Sequence, residues 1–178
     1  MRLCAKPLLG QGRAGLAAFM AVGVLSACSP SLDWRTVELE GMRTVLPCKP
    51  DRATRTLVLG NVPVTLAMAG CETQGALFAI SRMAVPVGAD AVSLEQSWRA
   101  AALLQMQASH SQAQTLPQRP HAPTLHVMLA NGQRPDGSPV QASLAWVVEK
   151  GAVFHMAVYA KALDPTLTEP LLRDVQWP

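Results

Sequence analysis

The sequence predicts an α+β domain: an antiparallel β-sheet with one long helix and one short C-terminal helix packed on it. Three observations lead there. Period-two apolar alternation comes in grouped runs, over 54–85 and again over 124–160, and not strand by strand between helices. One long alanine-rich stretch between those runs repeats its apolar residues at three and four positions. Gly60-Asn61 and Lys150-Gly151 stand where two-residue hairpin turns are required.

The elements follow in order. Trp34 to Val37 is extended, and Arg43 to Leu46 is a second short strand stopped by Pro47. Cys48-Lys49-Pro50-Asp51 is turn chemistry. Thr54 to Leu59 is a strand that turns at Gly60-Asn61 into Val62 to Cys71, where Val62, Val64, Leu66 and Met68 alternate with Pro63, Thr65, Ala67 and Ala69. After a polar loop over Glu72 to Gly75, Ala76 to Val85 completes an antiparallel meander. Ser93-Leu94-Glu95-Gln96 is a capping box that starts a helix running to about Ser111, with Leu94, Trp98, Ala101, Leu104 and Ala108 as its buried stripe. Thr115 to Pro123 holds three prolines and is a loop. Leu125, Val127 and Leu129 open the second sheet section, and Asn131-Gly132 and Asp136-Gly137 bracket an irregular connection. Val140 to Glu149 is the longest strand of that section, with Ala142, Leu144, Trp146 and Val148 facing one way. Lys150-Gly151 turns it into Val153 to Ala160, with Phe154, Met156 and Val158 on one face and His155 and Tyr159 on the other. Thr168 caps a last short helix, with Glu169 and Pro170 in its first turn and Leu171, Leu172 and Val175 as its apolar side.

The N-terminus precedes all of this and has a different character. The first 13 residues carry Arg2, Lys6 and Arg13 and no acid, and Ala14 to Leu25 is apolar or small. A basic head followed by a short apolar run is a secretory leader, too short to span a bilayer core of roughly 20 residues. Its end, Leu25-Ser26-Ala27-Cys28, resembles the lipobox of the bacterial lipoprotein family: a Leu, a small residue, Ala or Gly, then Cys. The resemblance implies cleavage before Cys28, acylation of Cys28 and attachment to a lipid bilayer. Several acyl chains, at about 0.8 kcal/mol per buried CH₂, hold far more firmly than one. Ser29 follows the cysteine, where an Asp would imply retention at the inner membrane, so the resemblance implies the periplasmic face of the outer membrane. The chain then divides into a leader over 1–27, an acylated tether over 28–33 and a single α+β domain over 34–178.

With that leader removed, the charge and cysteine inventories simplify. Three of the fifteen basic residues lie in the leader, which leaves twelve against twelve acidic ones. A neutral mature chain argues against electrostatic nucleic-acid binding. Cys4 leaves with the leader and Cys28 is acylated, so Cys48 and Cys71 have a single possible pairing. In an oxidising compartment a disulfide is the default, closing a loop of about two dozen residues for on the order of 3 kcal/mol. The rival, a redox or metal pair, lacks Cys-x-x-Cys and any nearby His.

Thr44-Val45-Leu46-Pro47, the hairpin of Leu57–Leu59 and Val62–Met68, Gly75-Ala76-Leu77-Phe78-Ala79-Ile80, the long helix and the Glu149-Lys150-Gly151-Ala152-Val153-Phe154 hairpin together resemble the PsbP-type fold. That fold includes extrinsic photosystem subunits and DcrB-like bacterial lipoproteins. The resemblance covers most of residues 40–178, implies a binding or scaffolding module and carries over no catalytic residue.

Candidate chemistry is sparse. His126 and His155 lie on different strands of one sheet section and could share a face; with an acid nearby they could bind a metal. The plainer reading is two surface or partly buried histidines. His110 and His121 flank the end of the long helix and read as solvated. No Gly-x-Ser-x-Gly and no Gly-rich phosphate loop is present, and Glu95 is the lone carboxylate of its helix. Met106, Met128 and Met156 read as core filler. Trp98 and Trp146 read as core, while Trp34 and Trp177 either pack or sit at a lipid interface. No catalytic residue, metal ligand or cofactor is assigned from the sequence. The expectation is a non-catalytic lipoprotein that binds an envelope protein. The alternative is a carrier or sensor of an apolar small molecule in a cleft between the long helix and the sheet. An enzyme would need His126, His155 and an acid to meet in space.

Overall fold

The grouped alternation becomes nine strands and two helices in the computed structural model, which describes residues 32–117, 122–173 and 175–178. They are β1 (Arg35–Leu39), β2 (Met42–Leu46), β3 (Asp51–Leu59), β4 (Val62–Thr73), β5 (Ala76–Ala84), α1 (Ala91–Gln105), β6 (His110–Gln114), β7 (His126–Gln133), β8 (Pro139–Glu149), β9 (Ala152–Ala160) and α2 (Pro165–Arg173). Seven strands form one antiparallel sheet in the order β3-β4-β5-β9-β8-β7-β6, and β1-β2 is a separate hairpin. The leader, the lipobox and Cys28 lie outside the described residues, as does His121.

Turn chemistry sets the register. Gly60 and Asn61 have φ of 53° and 70°, and Lys150 and Gly151 have 44° and 73°. Two consecutive left-handed residues match the twist of a hairpin. Gln74 and Gly75 adopt the same pattern, so the polar loop expected over Glu72 to Gly75 shrinks to two residues, with Glu72 and Thr73 still in β4.

Both faces of the sheet are covered. On β8, Ala142, Leu144 and Trp146 point to the α1 side, where Leu94 and Trp98 meet them. On β9, Phe154, Met156 and Val158 point the other way, into a cluster with Val37, Leu39, Met42 and Leu46 of the hairpin and with Leu171 and Val175. β4 serves both cores, with Val64 and Leu66 facing α1 and Ala69 and Cys71 facing the hairpin. The Cys48–Cys71 disulfide forms, with Cα atoms 6.0 Å apart, and staples the exit of β2 to the middle strand of the meander. A bridge between Arg43 and Gln176 ties the C-terminal segment to β2. Trp34 meets Phe78 edge-on at 6.1 Å and Trp177 meets Phe154 at 5.7 Å, so both terminal tryptophans pack on this second core.

Five local expectations are corrected. The α1 cap is Asp90, whose Oδ2 accepts from the Ser93 amide at 2.7 Å, so the Ser93–Gln96 box lies inside the helix. An Asp three residues upstream caps equally well and lets Ala91 and Val92 join the first turn. The helix stops at Gln105, not Ser111, because Gln107 turns left-handed (φ 47°) and His110–Gln114 pairs with β7 as an edge strand. The buried stripe is Leu94, Glu95 and Trp98, with Ala102 and Leu103 partly covered, while Leu104 is 80% exposed. Asn131-Gly132 is inside β7, not a turn; Gly132 is required there because a Cβ would stand 2.2 Å from the Met106 carbonyl oxygen. The connection turns instead at Arg134–Ser138, held by Asp136 Oδ1 accepting from the Ser138 amide at 2.9 Å. Asp164, not Thr168, caps α2, its Oδ1 accepting from the Thr166 amide at 2.8 Å, with Pro165 at the first position.

Candidate functional site

Three adjacent strands place aromatic and titratable side chains in one row. The register sets His126 on β7 opposite Trp146 on β8, and Trp146 opposite His155 on β9. Ser81 on β5 extends the row, opposite His155. All four side chains point to the α1 side because the pleat repeats every two residues. Above them α1 contributes Glu95, Trp98 and Arg99, since residues three and four apart share a helix face.

His155 is enclosed by indoles. Its ring stacks on Trp146 at 4.6 Å with 21° between planes, and Trp98 covers it at 5.2 Å and 54°. It is 7% exposed, and burial pushes its pKa down from 6.5 to about 3. An imidazole so weakly basic is neutral at physiological pH and has little driving force as a general base. The expectation of a surface or partly buried histidine is therefore corrected for His155: it belongs to the core.

Glu95, expected only as a capping-box member and the lone carboxylate of its helix, is buried against the sheet. It is 1% exposed, and its Oε1 lies 3.5 Å from His126 Nδ1 and 3.6 Å from Arg99 Nη1. A buried carboxylate is tolerable only with compensating charge, which Arg99 supplies one turn along the helix. Those contacts are longer than hydrogen bonds, and Glu95 Oε1, Trp146 Nε1 and His155 Nε2 make no hydrogen bond to any described residue. The only sequence signal was a carboxylate at i+1 of the Leu94–Trp98 stripe, a position a helix buries along with its neighbours.

His126 and His155 do not converge. One strand separates them, about 10 Å at two strand spacings, and the Trp146 indole stands between. Of the two histidines, His126 is the one that faces the acid. Among the described residues no group of three or more His, Cys, Asp or Glu side chains is arranged to hold a metal ion. Cys48 and Cys71 are consumed by the disulfide. His110 is exposed on the edge strand β6.

A cleft begins where this row ends. It measures about 950 Å³, opens beside Arg99 and His126 and runs past Leu116, Leu125 and Met128 to Leu172 of α2. Its wall is chiefly apolar, with Arg99, Glu169 and Arg173 as its charged lining residues among those described, and Glu95 buried behind Arg99. A smaller, more polar cleft of about 470 Å³ lies between β6 and α2, lined by Gln112, Gln114 and Gln141. Neither lies under the middle of α1. Leu94 and Trp98 fill that interface, and Ala101, expected in the buried stripe, faces solvent with Ala100.

No helix among the described residues is long and apolar enough to cross a membrane. No family model matches the chain, and no curated protein matches it. Among solved structures, PA94 of Pseudomonas aeruginosa, a protein of unknown function, is similar at 15% sequence identity and a TM-score of 0.40, over 79% of this chain and 91% of that one.

Proposed function

We propose that this chain is a lipid-anchored protein of the bacterial envelope whose folded domain is a non-catalytic binding module. The observation that carries the reading is Leu25-Ser26-Ala27-Cys28 at the end of a basic, then apolar, leader. Acylated Cys28 holds the protein to the bilayer, on the periplasmic face of the outer membrane given Ser29. The disulfide suits an oxidising compartment. With β1 starting at Arg35, the tether is short and holds the domain close to the lipid surface. The partner is an envelope protein; the outward backbone edges of β3 and β6 end the sheet and can accept an added strand.

The test is processing in intact cells. Globomycin, which blocks the lipoprotein signal peptidase, is expected to accumulate the full-length precursor, and Cys28→Ala to abolish membrane partition. Unchanged processing under globomycin, with residue 28 unmodified by mass spectrometry, overturns the anchor. Crosslinking in intact envelopes then identifies the partner.

A second reading is favoured by one observation, the 950 Å³ apolar cleft. Ligand sites span about 300–1,000 Å³ and combine apolar walls with a few polar groups. On this reading the module carries or senses an apolar small molecule.

A further inference from the structure

Deepening the binding-module reading, on which it rests, we propose that β3 pairs antiparallel with β3 of a second copy of this chain, with Thr56 on the two-fold axis. Among the described residues no strand lies on the outer side of β3, which is exposed over Asp51–Thr56 and again at Val58. Its pairing with β4 runs from Asp51 to Leu59 without a bulge, and Pro63 stands opposite Val58. Proline has no N–H, so this is a pair without mutual hydrogen bonds, as the two-residue loop at Gly60-Asn61 also requires. The alternation then turns the N–H and C=O of Thr54, Thr56 and Val58 away from β4. Arg52 ends that row, its guanidinium donating to the Glu38 carbonyl of β1 at 2.8 Å. Natural edges are blunted by charge, proline or bulges. The outward row of Thr54, Thr56 and Val58 has none of these and consists of β-branched residues that suit a paired strand. The opposite edge, β6, is five exposed residues without one.

The side chains make this strand its own complement. Outward groups meet outward groups only in registers that set Thr54, Thr56 and Val58 against one another. Centring on Thr56 places Thr54 opposite Val58 of the second copy, Thr56 opposite Thr56 and Val58 opposite Thr54, for about six backbone hydrogen bonds. A threonine pair then sits on the axis with β-branched pairs on either side, and such cross-strand pairs stabilise a sheet. Arg55, the charged residue within this span, shares the α1 face with its partner Leu66 and falls opposite Leu57 of the second copy. Centring on Arg55 instead sets two arginines opposite each other, which is destabilising. Centring on Leu57 sets Thr54 against the turn residue Gly60 and loses a pair. The two-fold is normal to the sheet, so the interface is isologous and closes at two copies.

Cysteine trapping in intact envelopes tests this. Mild oxidation of the full-length Thr56→Cys protein is expected to give a disulfide-linked dimer, because a hydrogen-bonded pair brings Cα atoms to about 5.5 Å, a distance a disulfide spans. The unsubstituted protein, whose Cys48 and Cys71 are already paired, is the blank. Thr54→Cys lies on the same edge and face, but its own copy is about 13 Å along the strand, so its dimer yield should be about tenfold lower. Combining Thr54→Cys with Val58→Cys should restore the dimer, since those positions oppose each other. Adding Thr56→Pro to that combination removes an outward N–H that β4 does not use and should lower the yield about tenfold; Thr56→Lys, which opposes like charges on the axis, is the second such variant. Equal yields from Thr56→Cys and Thr54→Cys, no dimer from any of these proteins, or a yield that neither Thr56→Pro nor Thr56→Lys reduces overturns the self-pairing. Linkage of the Thr56→Cys protein to a different envelope protein overturns it too and leaves the binding-module reading standing.

Discussion

His155 should make this protein lose stability as the pH falls from 7.5 to 5.0. Its imidazole is held neutral between Trp98 and Trp146, with its pKa pushed by burial from 6.5 to about 3. The unfolded chain therefore binds a proton that the folded chain refuses, and stability falls as pH drops below 6.5 until the folded group titrates near 3. From pH 7.5 to pH 5.0 the linkage integral for one such group is about 2 kcal/mol. Asp90, Asp136 and Asp164 also have shifted pKa values, each lowered by hydrogen bonds from Ser93, Ser138 and Thr166 respectively. Their stabilisation is present above about 3.8 and is lost only below it, outside this window. The perturbation is His155→Leu, of similar volume in an apolar slot. The assay is urea unfolding at several pH values between 7.5 and 5.0, comparing slopes, because lost ring stacking shifts the whole Leu curve without tilting it. The wild-type protein should lose about 2 kcal/mol more than the variant across the window. Parallel profiles would refute the reasoning and mean that His155 accepts a proton in the folded state.

Two further outcomes follow from the fold. Replacing both Cys48 and Cys71 by Ala should cost about 3.4 kcal/mol, the chain-entropy value for a sequence separation of 23, read as a lower urea midpoint; a loss under 1 kcal/mol would mean that the hairpin is seated without its staple. Gly132→Ala should cost about 2–3 kcal/mol, because the new methyl meets the Met106 carbonyl backbone and not a flexible side-chain end; thermal unfolding within a degree of wild type would show that the turn after α1 gives way freely.

The hairpins were legible because their determinants are local. Gly60-Asn61 and Lys150-Gly151 tolerate positive φ, and two-residue loops impose register on whatever flanks them. The pairing of Cys48 with Cys71 was legible by counting once Cys4 and Cys28 were set aside with the segment expected to be a leader and its end. Helix boundaries were less legible. Asp90 and Ser93 are both good caps, and nothing local chooses between them. The strand His110–Gln114 carries no apolar alternation, being exposed along its whole length, and exists because β7 offers an unpaired edge. Glu95 was read as a capping-box member and lone carboxylate and not as buried, because its burial follows from the phase of α1 against the sheet.

The chain's own order of residues determines the α+β class, the pairing order within the first meander and the Gly60-Asn61 and Lys150-Gly151 hairpin turns, since each depends on neighbours a few positions away. Only the tertiary structure decides that the sheet is covered on both faces, that Trp146 stands between the two histidines, and that Glu95 faces Arg99 and His126 at the mouth of a cleft. Those facts depend on which face of α1 meets which strands, and on where β6 ends and β7 begins. Both are settled by burial summed over the whole molecule, a quantity that no window of sequence contains.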